Sequence, residues 1–219
     1  MFISMDWYHD FRSGLSRVSL QTEVPASKLQ LGLMWSRMKK ACRLDQQGVL
    51  ELKTDARATG QAVAVLVLAA LAYGIGYTAQ TQFQGHNASI YGIIVGSLAN
   101  VVTVCFAAFV WSATAFLVGT KLFQGKTSYW ELARPLFFAS SPFFLFLLIV
   151  VPIPPVMIQG SVPIYWFQGT VAVVAVIWLF LSQVFALKQV MGLSVRRTVL
   201  TVAVGLLILA FIGIQFGTA

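Results

Sequence analysis

Three long stretches of this chain contain no Asp, Glu, Lys or Arg: Ala58 to Thr120, Pro135 to Leu187, and Thr198 to Ala219. A soluble fold cannot bury so much uncharged surface behind what remains, since 10% of the residues are charged against roughly 25% in ordinary soluble domains. A bilayer solves the problem, and a helix crosses it in about 20 residues. The first block is long enough for two crossings with a polar, uncharged turn from Gln80 to Ser89. The second fits two, broken by Pro152, Pro154, Pro155, Gly160 and Pro163, and the third fits one.

The reading is therefore an all-α, polytopic integral membrane protein with five transmembrane helices, two hairpins plus one. The spans are placed at Gln61 to Ala79, Tyr91 to Val118, Pro135 to about Val151, Trp166 to Leu187, and Thr198 to Phe216. Proline closes the third early, so that span is short, tilted or partly re-entrant.

Orientation follows from the bases. Nine precede Ala58, from Arg12 to Arg57; Lys121, Lys126 and Arg134 lie between spans two and three; Lys188, Arg196 and Arg197 lie between four and five. All fall on one side, which the positive-inside rule makes cytoplasmic. The N-terminus is then cytoplasmic and the C-terminus outside, with Tyr77, Tyr91, Tyr165 and Trp166 at the outer headgroups. A net charge of +8 placed at the ends of apolar runs points to anionic lipid headgroups, not to nucleic acid. No secretory signal is expected, because Asp6, His9 and Asp10 interrupt the opening residues.

Three regions follow: a loosely ordered tail over 1–27, a cytoplasmic amphipathic and juxtamembrane helical segment over 28–60, and a five-helix transmembrane domain over 61–219. Between Lys28 and Leu44, one helical face carries Leu31, Met34, Trp35, Met38, Ala41 and Cys42, with Arg37, Lys39, Lys40 and Arg43 opposite. A basic helix with Trp on its apolar face suits the membrane interface; the alternative is a helix packed on the protein's own loops.

Catalytic constellations are missing. His9 and His86 fall on opposite faces, the charge-free blocks hold no carboxylate, and no nucleotide-binding, hydrolase or metalloprotease motif occurs. The expectation is a non-enzyme without cofactor or metal. Asn100, Thr103, Ser112, Thr114, Ser140, Ser141, Ser182 and Gln183 are read as interhelical hydrogen-bonding groups, or alternatively as a polar path through spans two to four.

The loop from Gly119 to Arg134 is more pointed. Ser128 and Glu131 have capping-box spacing, so a short helix is expected to start there and to stop at Pro135. Lys121, Lys126, Tyr129, Trp130 and Arg134 are the candidate partner-docking patch, composed of the residue types that anchor interfaces; the alternative is an aromatic belt at the headgroups. Ser140, Ser141 and Pro142 predict a kink, because Pro142 frees a carbonyl one turn earlier and a serine hydroxyl can serve it.

Three stretches resemble the Yip family of Ypt- and Rab-interacting membrane proteins. They are Arg43-Leu-Asp45 with Leu52-Lys-Thr-Asp-Ala-Arg-Ala-Thr59; Gly125-Lys-Thr-Ser-Tyr-Trp-Glu-Leu-Ala-Arg134 with Phe138-Ala-Ser-Ser-Pro142 and Pro152; and Trp178 to Arg197, ending Leu187-Lys-Gln-Val-Met-Gly-Leu-Ser-Val-Arg-Arg197. The likeness covers roughly residues 42–212. It implies a five-helix membrane domain with a cytoplasmic N-terminus. Eukaryotic members are tied to Rab partners and vesicle traffic and carry an Asp-Leu-Tyr-Gly-Pro-like motif that this chain lacks. The resemblance therefore points to a bacterial-type member in an inner membrane, with a eukaryotic endomembrane as the alternative. Its expected role is a multi-pass scaffold that recruits a protein partner, or further copies of itself, at the cytoplasmic face; the alternative is a small channel or transporter.

Overall fold

The computed structural model describes residues 30–84, 89–150 and 162–217. The tail over 1–27, both histidines and the proline-rich turn after Val150 lie outside the described residues.

Among the described residues every regular element is helical. Two short helices, α1 (Leu31–Cys42) and α2 (Gln46–Thr54), precede the long α3 (Ala58–Gln84) and α4 (Ile90–Leu117). A π-turn segment, Val118–Leu122, ends α4. Then come α5 (Tyr129–Phe138), a 3-10 helix (Ser141–Val150), α6 (Val162–Met191) and α7 (Val195–Gly217). Four stretches are long and apolar enough to cross a membrane: Ala58–Gln82, Ile90–Leu122, Tyr129–Val150 and Trp166–Met191. The expected fifth span falls on α7, a helix of 23 residues.

The outer surface is that of an integral membrane protein. On α4, Ile94, Leu98, Val102 and Phe106 recur every fourth residue and are all exposed, as are Val173, Val176, Ile177 and Phe180 on α6. Water would leave such stripes without cover; acyl chains supply it.

The core gathers around α5, in which every residue from Leu132 to Phe138 is buried. Leu132 and Leu136 pack with Trp111, Leu187 and Val202, while Ala133, Phe137 and Phe138 pack with Ala41, Leu52 and Leu66. Pro135 does not end this helix as expected. α5 runs through it for three more residues, because proline removes only the bond to Glu131 and the surrounding packing holds the last turn.

Small residues set how closely the long helices approach. On α3, Ala58, Ala62, Val65, Ala69 and Ala72 repeat along one buried face. It continues to Gly76, where an added Cβ would lie 2.3 Å from the carbonyl oxygen of Phe146 in the 3-10 helix. Gly96 of α4 likewise meets Thr78 of α3 and Gly92 meets Gln82, so this GxxxG pair serves internal packing. Gly76→Ala is expected to push the 3-10 helix off α3 and destabilise the protein by about 1–3 kcal/mol, an overpacking cost. Gly60→Ala meets nothing within 4 Å and is expected to be neutral or stabilising. Thermal unfolding of both variants in one detergent checks the contrast; equal melting temperatures would contradict it.

Candidate functional site

The bases define one end of the bundle, and two of them are not on its surface. Arg37 of α1 is 5% exposed and Arg134 of α5 is 7% exposed. Arg37 donates from Nε to Glu51 Oε1 at 3.1 Å, from Nη1 to Gln61 Oε1 at 2.8 Å, and from Nη2 to Asp55. One guanidinium thus joins α1, α2, the residue that closes α2, and the first turn of α3, using its rigid fork of donors. Lys40 adds a second contact to Glu51, Nζ to Oε2 at 3.0 Å. Arg134 donates to Thr59 Oγ1 and to the Lys53 carbonyl, both at 2.9 Å. Lys53 in turn donates to the carbonyl of Val190 near the end of α6 at 2.8 Å.

These contacts hold the carboxylates ionised. The hydrogen bond from Lys40 lowers the Glu51 pKa against the opposing effect of burial, with Arg37 assisting. For Asp55 burial is the largest single influence and acts to raise the pKa. It is outweighed by Arg37, the Arg57 backbone N–H and both positive charges together, so the net direction is down.

The patch predicted from the loop is divided by the fold. Lys121, Lys126 and Trp130 face outward, Trp130 with 42% of its surface exposed. Tyr129 turns inward, its hydroxyl 2.9 Å from Ser112 Oγ; Ser112 donates to Phe109 O, so the tyrosine O–H is the donor to Ser112. Arg134 is held in the network above. The Ser128 N–H donates to the Glu131 carboxylate at 3.0 Å, which closes the turn that presents Trp130.

On α1, Trp35 and Leu31 are exposed, while Met34 and Met38 pack on the Phe137 cluster and Ala41 is buried. Arg37 departs from its expected place on the polar face because Glu51 and Asp55, four residues apart, draw it into the contact between α1 and α2. The sequence carried that signal: two bases three residues apart followed by two acids four residues apart. Gln61 and Thr59, uncharged, gave none. Lys40 is half-buried; Lys39 and Arg43 are exposed.

At the predicted kink, α5 ends at Phe138 and the 3-10 helix begins at Ser141. Pro142 has no N–H for the Phe138 carbonyl, and Ser141 Oγ donates to it at 2.8 Å. That hydroxyl has one proton, so the Cys42 thiol, 3.0 Å away, is the donor to Ser141. Ser140 Oγ reaches Leu136 O, which also accepts from Gln183 Nε2 at 3.1 Å.

Glu51 and Asp55 have folded-state pKa values below their ordinary 4.5 and 3.8. The stability they add is present above those ordinary values and is lost as pH falls through the lower folded ones. Arg37→Gln is expected to lower stability by about 1–3 kcal/mol at pH 7, a range that allows for solvent screening of half-exposed partners. It should also flatten the fall in melting temperature between roughly pH 5 and pH 3. An unchanged acid profile in Arg37→Gln would show that the network does not carry this dependence.

A family profile described as the Yip1 domain matches residues 46–216. No curated protein and no solved structure matches the chain. The matched region takes in α2 to the penultimate residue of α7 and holds Glu51, Asp55, Gln61 and Arg134; α1 with Arg37 precedes it. Over more than three-quarters of its length, and with apolar helices of membrane-crossing size in the matched region, the chain belongs to the Yip family.

Proposed function

We propose that this protein is a five-span scaffold of the bacterial inner membrane that recruits or assembles partners at its cytoplasmic face. The observation that carries the reading is the division of labour among the bases. Arg37 and Arg134 are consumed in holding α1, α2, α3 and α5 together, and this fixes an outward rim of Lys39, Arg43, Lys121, Lys126 and Trp130 on a rigid base. A face of bases and tryptophan carried by α1, the π-turn segment, the loop after it and the start of α5 is suited to binding, since arginine and tryptophan are frequent interface anchors. α7 serves as the fifth span, and the positive-inside rule sets the rim in the cytoplasm.

A second reading, passive conduction, has one observation in its favour. A cleft of about 480 Å³, open to the outer surface beside Val176, Phe180 and Leu206, is lined by Asn100, Thr103, Ser140 and Gln183 among apolar residues. Yet Asn100 donates to Thr78 and Gly96 O, Thr103 to Ala99 O, and Gln183 to Leu136 O. Groups already bonded inside the protein are poor substitutes for a solute's water, which favours the scaffold. Flux from liposomes containing the purified protein separates the two.

Orientation is tested in cells with Cys42 and Cys105 replaced. Cysteine at Lys126 or Arg196 is expected to be shielded from an impermeant thiol reagent, and cysteine at His86 or Ser161 to react; labelling of Lys126→Cys from outside would reverse the topology. For docking, Trp130→Ala combined with Lys126→Glu is expected to change unfolding stability by less than about 1 kcal/mol, as for other surface changes. Proteins that co-purify in mild detergent should be lost from this variant. Retention of those partners by a normally folded double variant would end the docking proposal.

A further inference from the structure

Beside the rim lies a feature the scaffold reading does not use. Between α1, the start of the 3-10 helix and the middle of α6 runs a groove of about 580 Å³, inside the range of about 300–1,000 Å³ typical of ligand clefts. Its walls are apolar: Met38 from α1, Pro142 and Leu145 from the 3-10 helix, Val174 and Trp178 from α6. Val174 and Trp178 are 47% and 44% exposed, so the trough opens onto the lipid-facing side of α6 and is not sealed in the core.

Two bases share this lining near the end of α1: Lys39 and Arg43 accompany Trp35, with Lys39 Nζ 5.9 Å from the centre of the Trp35 ring. Among the described residues, no carboxylate lines the groove. The carbonyls that end α1 would ordinarily repel an anion here. They are already taken: Lys39 O accepts from Arg43 N, Lys40 O from Asp45 N, Ala41 O from Leu44 N, and Cys42 O from Trp178 Nε1, all at 3.0–3.1 Å. The charged groups at this end of the groove are therefore the two bases, beside the Trp35 indole.

Depth fixes the kind of ligand. Ten residues of 3-10 helix rise about 20 Å against a hydrocarbon core of about 30 Å. The groove lies at the basic end of that helix, within the third apolar stretch, and opens onto exposed apolar residues of α6. Acyl chain is the ambient solvent at that level, and lysine and arginine stems reach from there to the headgroups.

We propose that this groove binds one anionic glycerophospholipid of the cytoplasmic leaflet. An acyl chain lies along Met38, Leu145 and Val174, and the headgroup phosphate lies against Lys39 and Arg43. Part of this site is built from α1, which precedes the region matched to the family. The site depends on the basic end standing at the headgroups and does not depend on any protein partner, so the co-purification experiment above can fail without affecting it.

The test uses the full chain in neutral detergent, offered equal amounts of phosphatidylglycerol and phosphatidylcholine with identical acyl chains, with retained lipid counted by native mass spectrometry. The wild type is expected to keep one phosphatidylglycerol in preference. Lys39→Gln with Arg43→Gln should cut that preference about thirtyfold, the scale set by two bases at an anionic surface. Lys121→Gln with Lys126→Gln makes the same charge change elsewhere and should leave it intact. Val174→Trp, at an exposed position away from the core clusters, fills the trough and should reduce retention of both lipids, which keeps the proposal testable if the charge variant folds poorly. Equal retention of the two lipids by the wild type would overturn the proposal. So would an equal loss in both charge variants, or displacement of the retained lipid by inorganic phosphate alone.

Discussion

The carbonyl of Phe138 is where the architecture turns. Inside hydrocarbon a backbone oxygen without a partner costs several kcal/mol, and Pro142 cannot supply the N–H that a regular helix would bring. The third apolar stretch changes from α to 3-10 at this point, and the freed acceptors are met by side chains from within and from other elements. Ser141 serves Phe138 and is itself served by Cys42 of α1. Leu136 O is served by Ser140 and by Gln183 of α6, and Gln183 accepts from Trp111 of α4 at 3.2 Å. Three elements far apart in sequence thus converge on one local break. The narrower 3-10 helix then packs against Gly76, where α3 has no side chain to hold it away.

The basic end meets a different demand. Burying a guanidinium without partners would be prohibitive, so each buried arginine is surrounded by acceptors. Arg37 faces two carboxylates and an amide, and Arg134 faces a hydroxyl and a carbonyl. Both sets of acceptors come from the chain between Glu51 and Gln61. That segment carries two of the few acids outside the tail and leads directly into the first span. Bases that collect at one end of the bundle therefore also clamp the short helices onto it. The remaining exposed bases are left for lipid or for a partner.

Much of this was legible from residues alone. Stretches without charge located the long helices to within a few residues, because the cost of a charge in lipid does not depend on tertiary detail. The capping-box spacing of Ser128 and Glu131 marked the start of α5, and Pro142 marked the end of its regular geometry, since both act within one turn. The stop expected at Pro135 failed for a complementary reason. A proline excludes one hydrogen bond, and packing on all sides of Leu132 to Phe138 outweighs it. The candidate patch was legible as composition only: Lys126 and Trp130 face out, while Tyr129 and Arg134, in the same short helix as Trp130, face in.

The sequence by itself determined the class of the molecule, the placing of its long apolar helices and the end at which its bases collect. These follow from a solvent that accepts no charge and from helices that must satisfy their own backbone. Only the tertiary structure decided which bases are structural and which are exposed. That depends on whether an acid or amide from elsewhere arrives within hydrogen-bonding distance, as Glu51, Asp55 and Gln61 do for Arg37 and as none does for Lys39 among the described residues. The same holds for the groove beside α1. Met38, Leu145 and Val174 come from three separate stretches of chain, and no periodicity within any one of them announces that they form the walls of one trough.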